Sequence, residues 1–120
     1  MHKHPGHQSV IAAICVLVAM SIGVASAESP RVIEITAEEF GFEPASIEVQ
    51  RGETVEIRLV NEGALSHNLL LEGAEARTRT LQGGKTGSVT FTPEETGSVR
   101  FHCDVPGHEQ AGMHGEMHVR

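Results

Sequence analysis

Apolar and polar residues alternate with a period of two through most of the chain beyond residue 30. Val55, Ile57 and Leu59, for example, are separated by Glu56 and Arg58. Alternation of this kind is typical of β-strands that bury one face. The pattern predicts about seven short strands, over residues 31–36, 46–50, 54–61, 68–72, 87–92, 98–103 and 115–119.

Turn-forming residues separate these predicted strands. Gly83-Gly84 and the stretch from Pro93 to Gly97 are two such breaks, and Gly and Pro commonly end regular structure. Residues 74–84 show no clear period, so we expect a loop there with at most a helical turn. Short strands at this spacing are typical of two packed sheets, and the fold class is therefore predicted to be an all-β sandwich.

The first 27 residues show the three parts of a secretory signal peptide. A polar start that includes Lys3 precedes an almost wholly apolar run, and Ala25-Ser26-Ala27 supplies small residues that a signal peptidase reads. We predict cleavage after Ala27, which leaves residues 28–120 as one domain of an exported protein, in the periplasm or outside the cell. The alternative is an uncleaved membrane anchor, because about eighteen apolar residues are near the lower limit for spanning a bilayer.

The charge of the chain excludes one class of partner. The formal net charge is −7 at pH 7 and becomes −8 for residues 28–120, which lack Lys3. Nucleic acid would repel such a protein, and the sequence has neither a basic run nor a phosphate-binding glycine motif. The acidity indicates solubility in the first place and is also compatible with attraction to a basic partner.

Cys103 is the only cysteine of residues 28–120, since Cys15 lies in the N-terminal apolar run. A lone thiol in an exported protein forms no internal disulfide. It is therefore reactive, paired with another molecule, structural or a metal ligand.

The residues after Cys103 favour a metal ligand. His108 follows the turn at Pro106-Gly107, and Met113 lies five residues farther on, so one short loop presents a thiolate, an imidazole and a thioether to one point. Two histidines and one thiolate in a trigonal array, with a weak axial methionine, form the ligand set of a blue copper site. The second histidine must come from elsewhere, and His67 is the natural candidate.

These features together resemble the cupredoxin family, to which plastocyanin and azurin belong. The His67-Asn68 pair and the Cys-x4-His-x4-Met loop are the specific motifs, while residues 40–44 and 55–61 are consistent with the same family. The resemblance covers essentially all of residues 28–120. It implies a Greek-key β-sandwich that binds one copper ion, as Cu+ or Cu2+, with the ligands His67, Cys103, His108 and Met113.

The resemblance also implies how the site is supported and used. Asn68 is expected to steady the ligand loop by hydrogen bonding near Asp104, as residues around a metal site commonly do. Single electrons would pass through the exposed edge of His108 to redox proteins, a donor and an acceptor, that dock transiently on a monomer. An apolar docking ring is predicted from Ala64, Leu65, Pro106, Gly107 and Ala111.

An electron carrier is thus the leading function, and a copper-buffering or copper-delivery protein is the alternative. A metal-free binding module is the third hypothesis. An enzyme is not expected, because catalytic copper needs an open coordination position or a second metal centre. One cysteine also excludes a binuclear centre with two bridging thiolates.

Two features depart from the family pattern. The chain has no tyrosine or tryptophan, and Val99 stands where many relatives have tyrosine. Histidines are also unusually frequent near the end of the chain, where alternation places several ligand-type residues on the outward faces of two strands. The family resemblance implies that these two strands are neighbours in one sheet. These residues define a candidate second metal face, with an ordinary solvated polar face as the alternative: His102, His114, Glu116 and His118.

Overall fold

The structure is a computed structural model that describes residues 1–3, 6, 12–19 and 29–120. The predicted cleavage site after Ala27 lies outside the described residues, so the signal peptide remains a prediction. Within the described ranges, none of the chain forms a helix with the length and apolar character needed to span a membrane.

Nine β-strands form within the described residues, and none of these residues is helical. The strands are β1 (Arg31–Glu38), β2 (Gly41–Glu43), β3 (Ser46–Val49), β4 (Val55–Asn61), β5 (Leu70–Leu71), β6 (Ala76–Arg77), β7 (Thr86–Phe91), β8 (Gly97–His102) and β9 (His114–Val119). They form a four-stranded sheet in the order β2-β1-β4-β7 and a five-stranded sheet in the order β3-β9-β8-β5-β6. The predicted all-β sandwich is confirmed.

Both sheets are mixed. Strand β1 pairs parallel with β4, and β3 pairs parallel with β9, while the other pairs are antiparallel. The partners in these parallel pairs are far apart in sequence, so the chain crosses between the sheets. These crossings bring the end of β8 and the start of β9 to the same end of the sandwich as the segment that precedes β5.

The core lies between the two sheets and follows the predicted alternation. In β4, Val55, Ile57 and Leu59 are fully buried, while Arg58 is exposed. Phe101 of β8 packs edge-on against Phe42, with ring centroids 5.6 Å apart. Aliphatic side chains and methionines fill most of the remaining interior, so the sandwich closes without tyrosine or tryptophan.

Two short strands were not predicted. Strand β2 lies between the first two predicted strands, and it pairs with the end of β1. The segment 74–84, expected to be a loop with at most a helical turn, contains β6 and one isolated bridge between His67 and Leu81. That bridge matters for the site, because it fixes the backbone of a predicted ligand.

Candidate metal centre

Three of the four predicted ligands present their donor atoms to one buried point. One nitrogen of His67, the sulfur of Cys103 and one nitrogen of His108 all lie within 4.8 Å of one another. The two histidine Nδ1 atoms are 3.1 Å apart, and Cys103 Sγ is 3.7 Å from His108 Nδ1. All three residues are buried, and His108 alone keeps a small exposed edge, at 8%.

Backbone hydrogen bonds position these side chains. His67 and Leu81 each donate an amide to the other's carbonyl, at 3.0 and 2.8 Å. Cys103 follows the last residue of β8, and its amide donates to the carbonyl of Met113 at 3.0 Å. The Met113 amide donates in turn to the carbonyl of His108 at 3.1 Å. The ligand loop is therefore closed on itself by main-chain bonds.

Met113, the fourth predicted ligand, is fully buried immediately before β9. The loop that leads to it turns through Gly107 and Gly112, whose φ angles of 83° and 125° suit glycine. These two turns let one loop carry Cys103, His108 and Met113 on the same end of the sandwich.

The donor set fits a single transition-metal ion. Atoms that each lie about 2.0–2.3 Å from one ion are roughly 3–4 Å from each other, which matches the separations found here. Two imidazoles and a thiolate suit soft or borderline metals such as copper and zinc, whereas oxygen ligands suit magnesium or calcium. Burial keeps competing water away from the donors.

Burial lowers the pKa of His67, and the nearby imidazole of His108 acts in the same direction. The carboxylate of Glu39 opposes this effect, but the net pKa is still lowered. A neutral imidazole has a free lone pair, so these surroundings favour the form of His67 that binds a metal.

Asn68 connects the His67 segment to the ligand loop through two hydrogen bonds with Asp104. Its Nδ2 donates to Asp104 Oδ1 at 2.6 Å, and the Asp104 amide donates to Asn68 Oδ1 at 2.9 Å. Asn68 Nδ2 also donates to Thr80 Oγ1 at 3.1 Å. Hydrogen bonds from Asn68 and from Arg77 hold the pKa of Asp104 below its usual value.

Glu39 is a residue near the site that sequence reasoning missed. Its Oε1 lies 3.3 Å from Nε2 of His67, on the side of the ring opposite to Nδ1. Glu39 is 28 residues from His67 and sits in the turn between β1 and β2. No motif marks it in the sequence, because only the folded arrangement of these turns brings it to the histidine.

The residues of the predicted docking ring are exposed, and Phe40 is a further exposed apolar residue that contacts His108. Ala64, Pro106, Gly107 and Ala111 are exposed. Leu65 is 46% exposed, and so is Phe40, which was not part of the predicted ring. The Phe40 ring packs edge-on against His108, with centroids 5.6 Å apart.

The four residues of the candidate second metal face do not gather into one group. His102 instead clusters with Glu72 and Glu109. Arg100 Nη1 lies between the two carboxylates, 3.1 Å from Glu72 and 3.2 Å from Glu109. The positive charge of Arg100 therefore already balances the charge of these carboxylates.

The other members of that face lie on β9, where His114 is the direct cross-strand partner of His102. His114 and Glu116 are exposed, while His118 contacts the Ser98 hydroxyl at 3.2 Å and Glu116 at 3.8 Å. This arrangement is a polar strand face rather than a closed set of ligands.

Comparisons with known proteins show a matching family and a shared fold. A sequence profile of the cupredoxin-like domain matches residues 10–119. No curated protein sequence matches the chain. Among solved structures, auracyanin B is 25% identical, with a TM-score of 0.71 over 78% of this chain and 92% of that one.

Other solved structures share the fold. Auracyanin A, a "blue" copper protein from Chloroflexus aurantiacus, is 28% identical, with a TM-score of 0.68 over 77% of this chain and 100% of that one. The multicopper oxidase mgLAC is 21% identical, with a TM-score of 0.66 over 76% of this chain but only 39% of its own.

Proposed function

The chain belongs to the cupredoxin-like family, and from this premise we propose that it is an exported one-electron carrier with a single copper ion bound by His67, Cys103, His108 and Met113. The observation that carries the proposal is the convergence of one nitrogen from each of two histidines and one cysteine sulfur within 4.8 Å in the interior. Copper at this point would supply the Cu+/Cu2+ couple.

The protein's contribution is to hold the donors in place before and after transfer. The main-chain bonds between His67 and Leu81, and those that link Cys103, His108 and Met113, do not depend on a metal. Because the donors are already fixed, a change of oxidation state requires little rearrangement of the chain. A site that rearranges little transfers electrons with a low barrier.

The exit route for the electron is the exposed edge of His108. The other three proposed ligands, His67, Cys103 and Met113, have no exposed surface. Partners, a redox donor and an acceptor, are proposed to dock on the apolar ring around His108, now including Phe40. We propose that the carrier is a monomer that binds no nucleic acid.

A catalytic role is not proposed. A single cysteine and two buried histidines serve one ion, and Met113 occupies the interior beside their loop. The multicopper oxidase shares the fold, but this chain spans 39% of its length. The leading proposal is therefore electron transfer without catalysis.

Copper delivery is the second candidate, and the exposed polar face of β9 favours it. His114 and Glu116 are open to solvent, where they would bind copper weakly and release it. Reversible oxidation and reduction without loss of the metal separates the carrier from a delivery protein.

Export rests on the N-terminal pattern of residues 1–27. We propose that the domain of residues 28–120 works in the periplasm or outside the cell. It would be tethered to a membrane only if the apolar segment is retained.

The first experiment is visible absorption of the purified protein, expressed from the full chain and loaded with Cu(II). We expect an intense thiolate-to-copper band that is absent from Cys103→Ala. A weak spectrum, typical of nitrogen and oxygen ligands only, would mean that Cys103 is not bound and would overturn the proposal.

A further inference from the structure

We infer that Glu39 is a positioning residue that fixes the orientation of His67 and lowers the reduction potential of the copper centre. This inference rests on the proposed function, because it concerns the regulation of the same site. It assigns a role to a carboxylate that no motif in the sequence indicates.

The carboxylate of Glu39 contacts the imidazole of His67. Glu39 Oε1 is 3.3 Å from Nε2 of His67. Since Nδ1 of His67 faces the other donors at 3.1 Å from His108, its proton belongs on Nε2, from which it is donated to the carboxylate. A carboxylate in this position fixes the tautomer of a metal-binding histidine and makes its other nitrogen a stronger donor.

The Glu39 carboxylate is itself held in place by the residues around it. The amide of Leu65 donates to the same Oε1 at 2.7 Å. A side chain at Gly63 would collide with the carboxylate of Glu39, so the absence of a Cβ there gives the carboxylate its space.

Asn61 fixes the conformation of the segment that contains Gly63 and Leu65. Its Oδ1 accepts the Gly63 amide at 2.9 Å, and its Nδ2 donates to the Leu65 carbonyl at 2.9 Å. The segment between Asn61 and Leu65 therefore wraps around the Glu39 carboxylate, whose side chain keeps 31% exposure.

The negative charge of the Glu39 carboxylate affects the metal position. Among the described ion pairs, Glu39 contacts only His67, and neither a lysine nor an arginine neutralises it. A negative charge one imidazole away from the metal position stabilises the more highly charged Cu2+ relative to Cu+. Both the charge and the stronger nitrogen donor therefore lower the reduction potential.

The test is the reduction potential of copper-loaded Glu39→Gln, measured by spectroelectrochemistry at fixed pH. Glutamine keeps an oxygen acceptor for the Leu65 amide and His67 but removes the charge. We expect the ratio of Cu2+ to Cu+ affinities to fall about tenfold, within the range seen when outer residues of metal sites are replaced. For one electron this corresponds to a rise of about 59 mV.

Glu62→Gln is the matched control, because Glu62 lies in the segment that wraps around Glu39 and is exposed, and neither a hydrogen bond nor an ion pair joins it to His67. The inference requires a clearly larger rise in Glu39→Gln than in Glu62→Gln. Equal shifts in the two variants would overturn it, since the general charge of the region would then be responsible. If the unsubstituted protein lacks the thiolate-to-copper band, the proposed function fails instead, so the two failures are distinguishable.

A second measurement needs no substitution. In the diamagnetic Cu+ form, nitrogen-15 NMR should show His67 protonated at Nε2, with a proton that exchanges slowly because Glu39 accepts it. A His67 proton on Nδ1, or an Nε2 proton that exchanges as fast as that of a solvent-exposed histidine, would contradict the positioning role even if Glu39→Gln does not fold.

Discussion

Asn68 is the residue whose hydrogen bonds connect the two halves of the candidate site. It is buried, donates to the Asp104 carboxylate and accepts the Asp104 amide. Asp104 directly follows Cys103, so this pair limits how far the cysteine can move relative to His67, which directly precedes Asn68. One amide side chain thus joins parts of the chain that are 36 residues apart.

We expect Asn68→Ala to lower the free energy of unfolding by about 1–3 kcal/mol, because buried hydrogen-bonding groups lose their partners. Urea unfolding of the metal-free protein measures this. Thr80→Val is the control, since it removes only the 3.1 Å bond to Asn68 Nδ2 and should cost less. Equal losses in the two variants would contradict a special role for the pair with Asp104.

The same pair predicts a pH dependence. The pKa of Asp104 is lowered in the folded protein, chiefly by the Asn68 hydrogen bond and then by Arg77. The ionised carboxylate therefore contributes stability above its unfolded pKa near 3.8, and this contribution is lost as the pH falls through the lower folded value. The stability difference between the unsubstituted protein and Asp104→Asn should be larger at pH 7 than at pH 3; a constant difference would contradict the assignment.

Among the elements, strand β8 contributes Phe101 to the core, and the predicted ligand Cys103 directly follows its last residue. Phe101 is fully buried against Phe42, and the absence of a side chain at Gly115 of β9 leaves room for its ring. Cys103 lies two residues farther along the same face. Packing of Phe101 between the sheets therefore determines where the cysteine sulfur lies.

We expect Phe101→Ala to lower the free energy of unfolding by about 3–5 kcal/mol, because it leaves a cavity between the sheets. Phe101→Leu, which fills more of that space, should cost less and stay folded if the alanine variant does not. Val32→Ala is the control on β1, where Val32 is 44% exposed, and surface changes cost within about 0.5 kcal/mol. A loss for Phe101→Leu no larger than for Val32→Ala would contradict the role of the ring in the core.

The ligand loop, between β8 and β9, gives a prediction about docking. Ala111 is exposed on this loop, so Ala111→Glu should slow electron transfer to a redox partner by adding a charge to the apolar ring, and leave the absorption spectrum unchanged. Stopped-flow transfer rates measure the effect. Gln50→Glu adds the same charge beyond the end of β3, at the opposite end of the sandwich, and should have little effect; equal slowing in both variants would contradict docking near His108.

The sequence was sufficient to predict the longer strands and the donor loop, because both depend on local patterns. Alternation in residues 54–61 follows directly from one buried face, and Cys103, His108 and Met113 are close in sequence. Short elements were missed, since the three residues of β2 and the two of β6 are too few to show a period.

The surroundings of the site were harder to predict than its donors. Asn68 was found through the family motif, whereas Glu39 and Phe40 belong to a turn that packs against the site only in the folded chain. The outward face of β9 was predicted correctly from alternation. The contacts of His102, on the neighbouring strand β8, were not predicted, because Glu72 and Glu109 reach it only in the folded chain.

At the scale of the whole molecule, the fold brings the donors together through contacts that involve no metal. A core of buried aliphatic, aromatic and sulfur-containing side chains extends across both sheets and includes Cys103 and Met113 themselves. This arrangement differs from that of small zinc domains, which have no folded state without their metal. Copper should therefore add stability to a protein that is already folded.

The last prediction follows from this difference. The metal-free protein should unfold cooperatively, and free copper at about 100 times its dissociation constant should add about 2.7 kcal/mol to the free energy of unfolding, because it binds only the folded state. Thermal unfolding at several copper concentrations measures this increment, and Cys103→Ala should lose most of it while retaining a cooperative transition of its own. If the metal-free protein instead shows no unfolding transition, copper binding and folding are one event, and the donors are assembled by the metal rather than by the sandwich.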